Sequence, residues 1–448
     1  MGRPNRGYAT IPSKKGKSVN REILRLALPN ILSNISVPLL SSVDTALMGH
    51  LSAAHLAALG ASGMLFMFLY SNFGFLRMGT TGMTAQTLGA GDHRALSMVL
   101  ARAILLALGL GGALWVFQVP LFDLGAWLLN MEPVYEPLAR EYFVIRIWTA
   151  PAVLGLYVLT GFFFGMQNAR YPLYMTLLVN LVNILFSLYF VRILGWGIAG
   201  AAWGTVAAQY AGLLYGLWFL RRYANRLMDM SLSKALFQGD WGRFFHVNRN
   251  IFIRTVALTF SLAFFYAQAA TERERTLSVM VLMLQFMIWM SFAIDGFANA
   301  AESLTGRYYG AGDRGRFFRA VRLSLIWGGI LALLFALIYS LAGGVILGLL
   351  TDQREVLDAA QPLLPLVGLL PLLGFAAFIY DGIFIGMTAV RAMRNAVILA
   401  TLLYVAGFYI LKTILPLSDA LWISFMAFFF FRGMVQWWMF RQKGWRLT

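Results

Sequence analysis

Residues Thr84 to Asp92 read TAQTLGAGD, and residues Thr305 to Asp313 read TGRYYGAGD. The shared Gly-Ala-Gly-Asp recurs at an offset, Thr84 to Thr305, that is close to half of the 448-residue chain. A glycine-rich tetrad arises easily by chance, so its weight comes from where the copies lie. A membrane-spanning helix needs about 20 mostly apolar residues. Runs of that kind centre on 26–49, 59–87, 97–118, 142–165, 171–191 and 197–220. After a polar, basic stretch from Arg221 to Asn250, six more follow at 251–270, 276–302, 318–343, 360–386, 393–412 and 416–438. Each tetrad closes the second run of its half and precedes a basic residue, Arg94 or Arg314. An even number of spans per half makes the copies parallel, related by an axis along the membrane normal. The pattern predicts an all-α polytopic membrane protein, with about twelve transmembrane helices in two pseudo-symmetric six-helix lobes. Its parts are an N-terminal segment (1–25), an N-lobe (26–220), an inter-lobe loop (221–250), a C-lobe (251–440) and a tail (441–448).

Composition agrees. Hydrophobic residues make up 60% of the chain and charged residues 12%, with a mean hydropathy of +0.70. Soluble domains are about 45–50% apolar and about 25% charged, so a cytosolic enzyme, a disordered regulator and a fibrous protein are excluded. The net charge of +17 does not point to nucleic acid, because the cations sit in short connections between apolar runs. With the N-terminus placed in the cytoplasm, 27 of the 36 Lys and Arg residues fall on the cytoplasmic side (Arg221 to Arg254 counted with the inter-lobe loop), 6 fall opposite, and Arg77, Arg146 and Arg432 lie within spans. That asymmetry follows the positive-inside rule and places both termini in the cytoplasm, in a plasma (inner) membrane. There are no cysteines, and the four histidines lack metal-ligand spacing, so no metal site is expected. Met1 to Asn20 is polar and basic and does not read as a removable signal peptide.

Ionisable groups inside a span are costly and mark proton relays or substrate paths. Asp44 lies within the first span, in VPLLSSVDTALMGHL, and helical geometry puts Asn30, Asn34, Ser41 and Asp44 on one polar stripe. Pro38 lies between, where it removes a backbone hydrogen bond and lets a helix bend. The fifth span carries a second stripe, Thr176, Asn180, Asn183 and Ser187, which reads as interhelical glue or, facing Asp44, as a binding surface. Asp295 and Glu302 share one face of the eighth span, and Asp381 lies in the tenth. With Gln285 they form a candidate C-lobe polar site, structural or functional. Arg77, Arg146 and Arg432 could neutralise buried acids, though the sequence does not pair them. Met64 and Met67, beside Phe66, and Met280, Met283 and Met287 are candidates for an adaptable apolar lining. The chain has no Walker A lysine motif, no His-Glu-x-x-His and no Gly-x-Ser-x-Gly. No enzyme activity and no organic cofactor is expected, and an ion-driven secondary transporter remains.

Several stretches resemble one family. PLLSSVDTALMGHL followed by FLRMGTTGMTAQTLGAGD, the run from Tyr142 to Pro172, DGFANAAESLTG, and DGIFIGMT with Arg391 to Asn395 are similar to motifs of multidrug and toxic compound extrusion (MATE) transporters, above all the DinF-like branch. The resemblance implies two six-helix lobes around a V-shaped cavity and export of small organic, amphipathic or cationic compounds in exchange for H⁺ or Na⁺. It also makes Asp44 the proposed coupling carboxylate. Family members often carry an acid in the fifth span, four residues after an Asn. Here Asn183 is followed at that spacing by Ser187. A site with one carboxylate suits a dehydrated Na⁺ less well, so the expected coupling ion is H⁺. In the expected cycle, protonation of Asp44 and a bend near Pro38 release the substrate outward.

Three alternatives stand beside this reading. A Na⁺-coupled exporter would use Asn180, Asn183 and Asp44 as ligands. A flippase for a lipid-linked precursor would need a more basic cavity. An intramembrane enzyme would pair Asp295 with Glu302, which two helical turns separate by about 10 Å, too far to share a proton. The expected partners are the bilayer and a small substrate, with no nucleic acid, and the protein is expected to be a monomer.

Overall fold

The computed structural model describes residues 18–227, 234, 241–271 and 274–443, without the side chains of 37–43, 274–276 and 443. Most of the N-terminal segment, much of the inter-lobe loop, part of the tail and the side chains of Pro38 and Ser41 lie outside the described residues. Among the described residues, ten helical stretches are long and apolar enough to cross a membrane. Two more complete the set of twelve. One is the first span, Val19–Gly49, whose hydropathy is lowered by its Asn, Ser and charged residues. The other is the sixth, Gly197–Leu220, rich in Gly and Ala. The eighth (Glu274–Gly310) and ninth (Arg314–Leu350) run 37 residues each, about 55 Å at 1.5 Å per residue. They project well beyond a hydrocarbon layer of about 30 Å. Large apolar side chains such as Leu341 and Leu349 point outward, 84% and 82% exposed, as a lipid-facing surface requires.

Some spans are built from two pieces. The second breaks at Phe73 between Ala53–Asn72 and Phe75–Ala90. The fourth breaks between Glu136–Arg146 and Ala150–Gly165, where Pro151 starts a new helix. The tenth breaks between Arg354–Ala360 and Leu364–Gly386, next to Pro362 and Pro365. A short helix, Gln118–Leu128, follows the third span. Its eleven residues are too few to cross, so hydropathy gave no separate signal for it.

The half-chain offset that carries Thr84 onto Thr305 governs packing in detail. A Cβ on Gly161 would strike the backbone oxygen of Arg77, and one on Gly382 would strike that of Ala298. Gly165 meets Thr81 O as Gly386 meets Glu302 O. In every case both members of the second pair stand at that same offset from those of the first. The turn after each tetrad uses the same left-handed glycine, Gly91 at φ 71° and Gly312 at φ 70°. Two of the three non-glycine positive-φ residues among the described residues correspond as well, Gln167 at 64° and Thr388 at 54°, while Asn130 at 46° has no such twin. Without a hydrophobic force between helices in lipid, such close glycine contacts are what hold a bundle together.

The lobes also meet across the repeat axis. Gly89 abuts the oxygen of Arg307, and Gly310 abuts that of Gln86, a reciprocal crossing of the second and eighth spans. Hydrogen bonds reinforce it: Gln86 Nε2 donates to Gly386 O at 2.9 Å, and Gln167 Nε2 donates to Ser303 O at 2.8 Å. The start of the first span lies at this end, since Tyr308 donates to Glu22 and Trp327 Nε1 donates to Asn20 Oδ1 at 2.5 Å. The lobes are therefore packed together at the end carrying the Gly-Ala-Gly-Asp turns.

Candidate functional site

Asp44 lies near the opposite end of the first span, 7% exposed. The polar side chains acting most directly on its carboxyl are Ser187 and Asn183 of the fifth span, with Arg146 the cation that it feels. Arg146 makes no ion pair with it among the described residues. Its guanidinium instead stacks 4.6 Å over Phe66 and donates to the Tyr142 hydroxyl at 3.0 Å. Asn183 Nδ2 donates to Thr205 Oγ1 of the sixth span at 3.1 Å. Three buried oxygens, Asp44 Oδ1, Asn183 Oδ1 and Ser187 Oγ, have no well-formed hydrogen bond among the described residues. Buried polar atoms are nearly always satisfied, so this cluster is unusual.

The fifth-span stripe also packs on the first span through residues outside the expected first-span stripe. Ser33 Oγ donates to Thr176 Oγ1 at 2.9 Å, and Asn180 Nδ2 donates to Ser36 O at 2.9 Å. Asn34 turns the other way and donates to Phe292 O of the eighth span at 2.9 Å. Asn30 is buried with Nδ2 unpartnered among the described residues. Met64 and Met67 are exposed, while Phe66 between them is buried beneath Arg146. Met280 and Met283 are fully buried in the core, Met287 packs against it, and Gln285 is half-buried.

Of the C-lobe acids Asp381 is fully compensated, while Glu302 keeps Oε1 unpartnered among the described residues. Asp381 is bound by Arg254, by Arg432 at 3.2 Å and by Gln436 Nε2 at 2.6 Å. Arg432 is itself held against Phe378, Phe428 and Phe429. Arg77 of the second span reaches across the lobes, donating to Asn299 Oδ1 at 3.1 Å and lying 3.8 Å from Glu302. Asp295 lies in the field of Arg77, Arg254 and Arg432. The structure corrects one count. The seventh span begins at Trp241, not at residue 251, and carries Arg254 buried inside it. Arg254, the buried arginine of that helix, therefore joins Arg77, Arg146 and Arg432 as a cation within a span. Arg254, Gln436 and Tyr142 were missed as site residues. An excess of intramembrane acids over arginines was the signal pointing to a fourth cation.

Twelve apolar helices in two parallel repeats, with ionisable groups buried between them, define a multi-pass membrane transporter rather than an enzyme. The MatE family model matches twice, over residues 29–189 and 250–410, and the two matches stand at the same offset as the paired tetrads. The chain belongs to the MatE family of secondary transporters. It is 35% identical to the DNA damage-inducible protein F of Escherichia coli (strain K12) over 93% of this chain and 91% of that protein. It is 24% identical to the probable multidrug resistance protein NorM of Thermotoga maritima, over 80% and 78% of the two chains. Its fold matches a solved outward-facing multidrug resistance MATE family transporter, with a TM-score of 0.87 at 20% identity, covering 95% of this chain and 96% of that one.

Proposed function

We propose that this protein is a proton-coupled exporter of small organic, amphipathic or cationic compounds, working by alternating access with Asp44 as its coupling group. The observation that carries the proposal is the contrast in compensation. Asp44 is a buried carboxylate with an unpartnered oxygen and no ion-paired arginine among the described residues, whereas Asp381 has two. A group that is not neutralised by the fold is free to be neutralised by a proton or by a cationic substrate. Binding of one then opposes binding of the other, and that differential affinity makes exchange rather than leakage.

In this cycle substrate occupies the N-lobe side while Asp44 is ionised. A proton from outside neutralises it, the first span bends near Pro38, and substrate leaves. The lobes then part at the end where Gly89 and Gly310 cross, Asp44 gives its proton to the cytoplasm, and the site reopens. The charge asymmetry supports cytoplasmic termini and a plasma (inner) membrane. One observation favours Na⁺ as the second reading: Asp44, Asn183 and Ser187 offer three unpartnered oxygens, the ligand type a hard cation takes.

The test is efflux of a fluorescent lipophilic cation from proteoliposomes under a pH gradient, a Na⁺ gradient or neither, for the native chain and Asp44→Asn. A pH-driven efflux lost in the variant supports the proposal. Efflux driven by Na⁺ alone replaces the coupling ion and keeps the exporter. Efflux driven by neither, and unchanged in the variant, removes the exporter reading and turns attention to lipid-linked substrates.

A further inference from the structure

A cavity of about 990 Å³ opens at the terminal end, far along the first span from Asp44. Its walls come from the second and third spans of the N-lobe and the seventh and eighth of the C-lobe, and Lys234 of the inter-lobe loop reaches into it. Among the described residues its lining holds four cations, Arg94, Arg102, Lys234 and Arg243, and a single acid, Asp92. Asp92 is already engaged, capping the third span by accepting from Ala95 N at 2.8 Å. Arg243 donates to Gln86 Oε1 at 3.0 Å, and Arg102 stacks 5.7 Å from the Trp241 ring. These contacts fix both guanidinium groups in place on the wall.

The repeat carries no cation at two of these positions in its second copy. At the offset that carries Thr84 onto Thr305, Arg94 corresponds to Gly315 and Arg102 to Leu323. Leucine fills the equivalent helix position in the second copy, so packing alone does not call for arginine at 102. The twin helix carries its cations at other positions, Arg314, Arg316, Arg319 and Arg322, so the placement of Arg94 and Arg102 on the cavity wall is particular to the N-lobe.

We infer that this cavity binds a phosphate-bearing anion, clasped by Arg94, Arg102, Lys234 and Arg243 between the two lobes. Arginine forks suit phosphate oxygens, and basic pockets between helices at the cytoplasmic face are the common way that membrane proteins hold anionic headgroups. The shared chemistry is a phosphate monoester or diester, supplied by a lipid headgroup or by a soluble phosphate. A ligand seated here touches both lobes. Taken with the alternating-access reading, it would hold this end closed.

Native mass spectrometry of the full chain in detergent tests it, with phosphatidylglycerol, phosphatidylcholine, glycerol 1-phosphate and inorganic phosphate as probes. The native chain should retain one phosphatidylglycerol in preference to phosphatidylcholine. Arg94→Gln with Lys234→Gln, both at exposed positions, should weaken it roughly tenfold or more, given about a factor of five per cation near an anionic headgroup. Arg319→Gln with Arg322→Gln removes the same charge from exposed positions outside the cavity and should leave the adduct unchanged. Asp44→Asn should also leave it unchanged, so failure of the transport proposal does not affect this one. Competition by glycerol 1-phosphate or inorganic phosphate identifies a soluble ligand; its absence identifies the lipid. Equal loss in both double variants, or no preference for any anionic probe, overturns the inference.

Discussion

Asp44 and Asp381 are both buried carboxylates in apolar helices, and the fold treats them in opposite ways. Asp381 is enclosed by Arg254, Arg432 and Gln436 from the seventh and twelfth spans. Asp44 has neutral neighbours, Asn183 and Ser187, and its nearby Arg146 is occupied by aromatic rings. A charge inside a membrane protein is tolerated when it is paired or when it titrates in use. The C-lobe acid belongs to the first case, and the N-lobe acid is the candidate for the second. Both lobes share backbone contacts in register, so the difference lies in a few side chains on an otherwise duplicated frame.

The largest effect should come from undoing the C-lobe compensation. Asp381→Asn leaves Arg254 and Arg432 facing each other without their carboxylate, and breaking one partner of a buried pair costs about 3–5 kcal/mol. Thermal unfolding in detergent should show a steep loss of stability for Asp381→Asn and little change for Asp44→Asn. Equal losses would erase the contrast between the two acids.

The repeat predicts the next effect. Gly89→Ala and Gly310→Ala each push a Cβ into the partner lobe's backbone, and overpacking of this kind costs about 1–3 kcal/mol. Because the crossing is reciprocal, the two variants should lose similar stability. A clear inequality would show that the lobes are less equivalent at their crossing than their backbones suggest. The smallest effect belongs to Arg77→Gln, which removes the inter-lobe contact to Glu302 and Asn299. Net hydrogen bonds are worth about 1 kcal/mol, so unfolding should shift slightly. Transport rate should change more than stability, because the contact joins parts that must move relative to each other.

Much of this was legible in the sequence, for physical reasons. Helices in lipid must be long and apolar, which made twelve spans countable, and the paired tetrads carried the repeat. The stripe Thr176, Asn180, Asn183 and Ser187 was readable because helical geometry places those positions on one face. What they touch was not readable, because contact partners are set by tertiary packing. Asn34 shows the limit: it shares a stripe with Asp44 by helical angle, yet it bonds the opposite lobe, since the first span lies between both. Arg254 was hidden for a different reason. It lay inside the expected span 251–270 but was counted with the cations of the inter-lobe loop, because the polar turns from Trp241 to Asn250 that begin the helix read as loop. The pairing of Arg254 with Asp381, far away in the chain, left no trace in local pattern.

The central claim is that proton and substrate compete through Asp44. It is tested most directly by following proton release in weakly buffered detergent solution as a lipophilic cation binds the purified protein. Linkage is reciprocal, so the native chain should release protons on binding and Asp44→Asn should release none while remaining folded. Proton release from Asp44→Asn equal to that of the native chain would contradict the account and move the coupling group elsewhere.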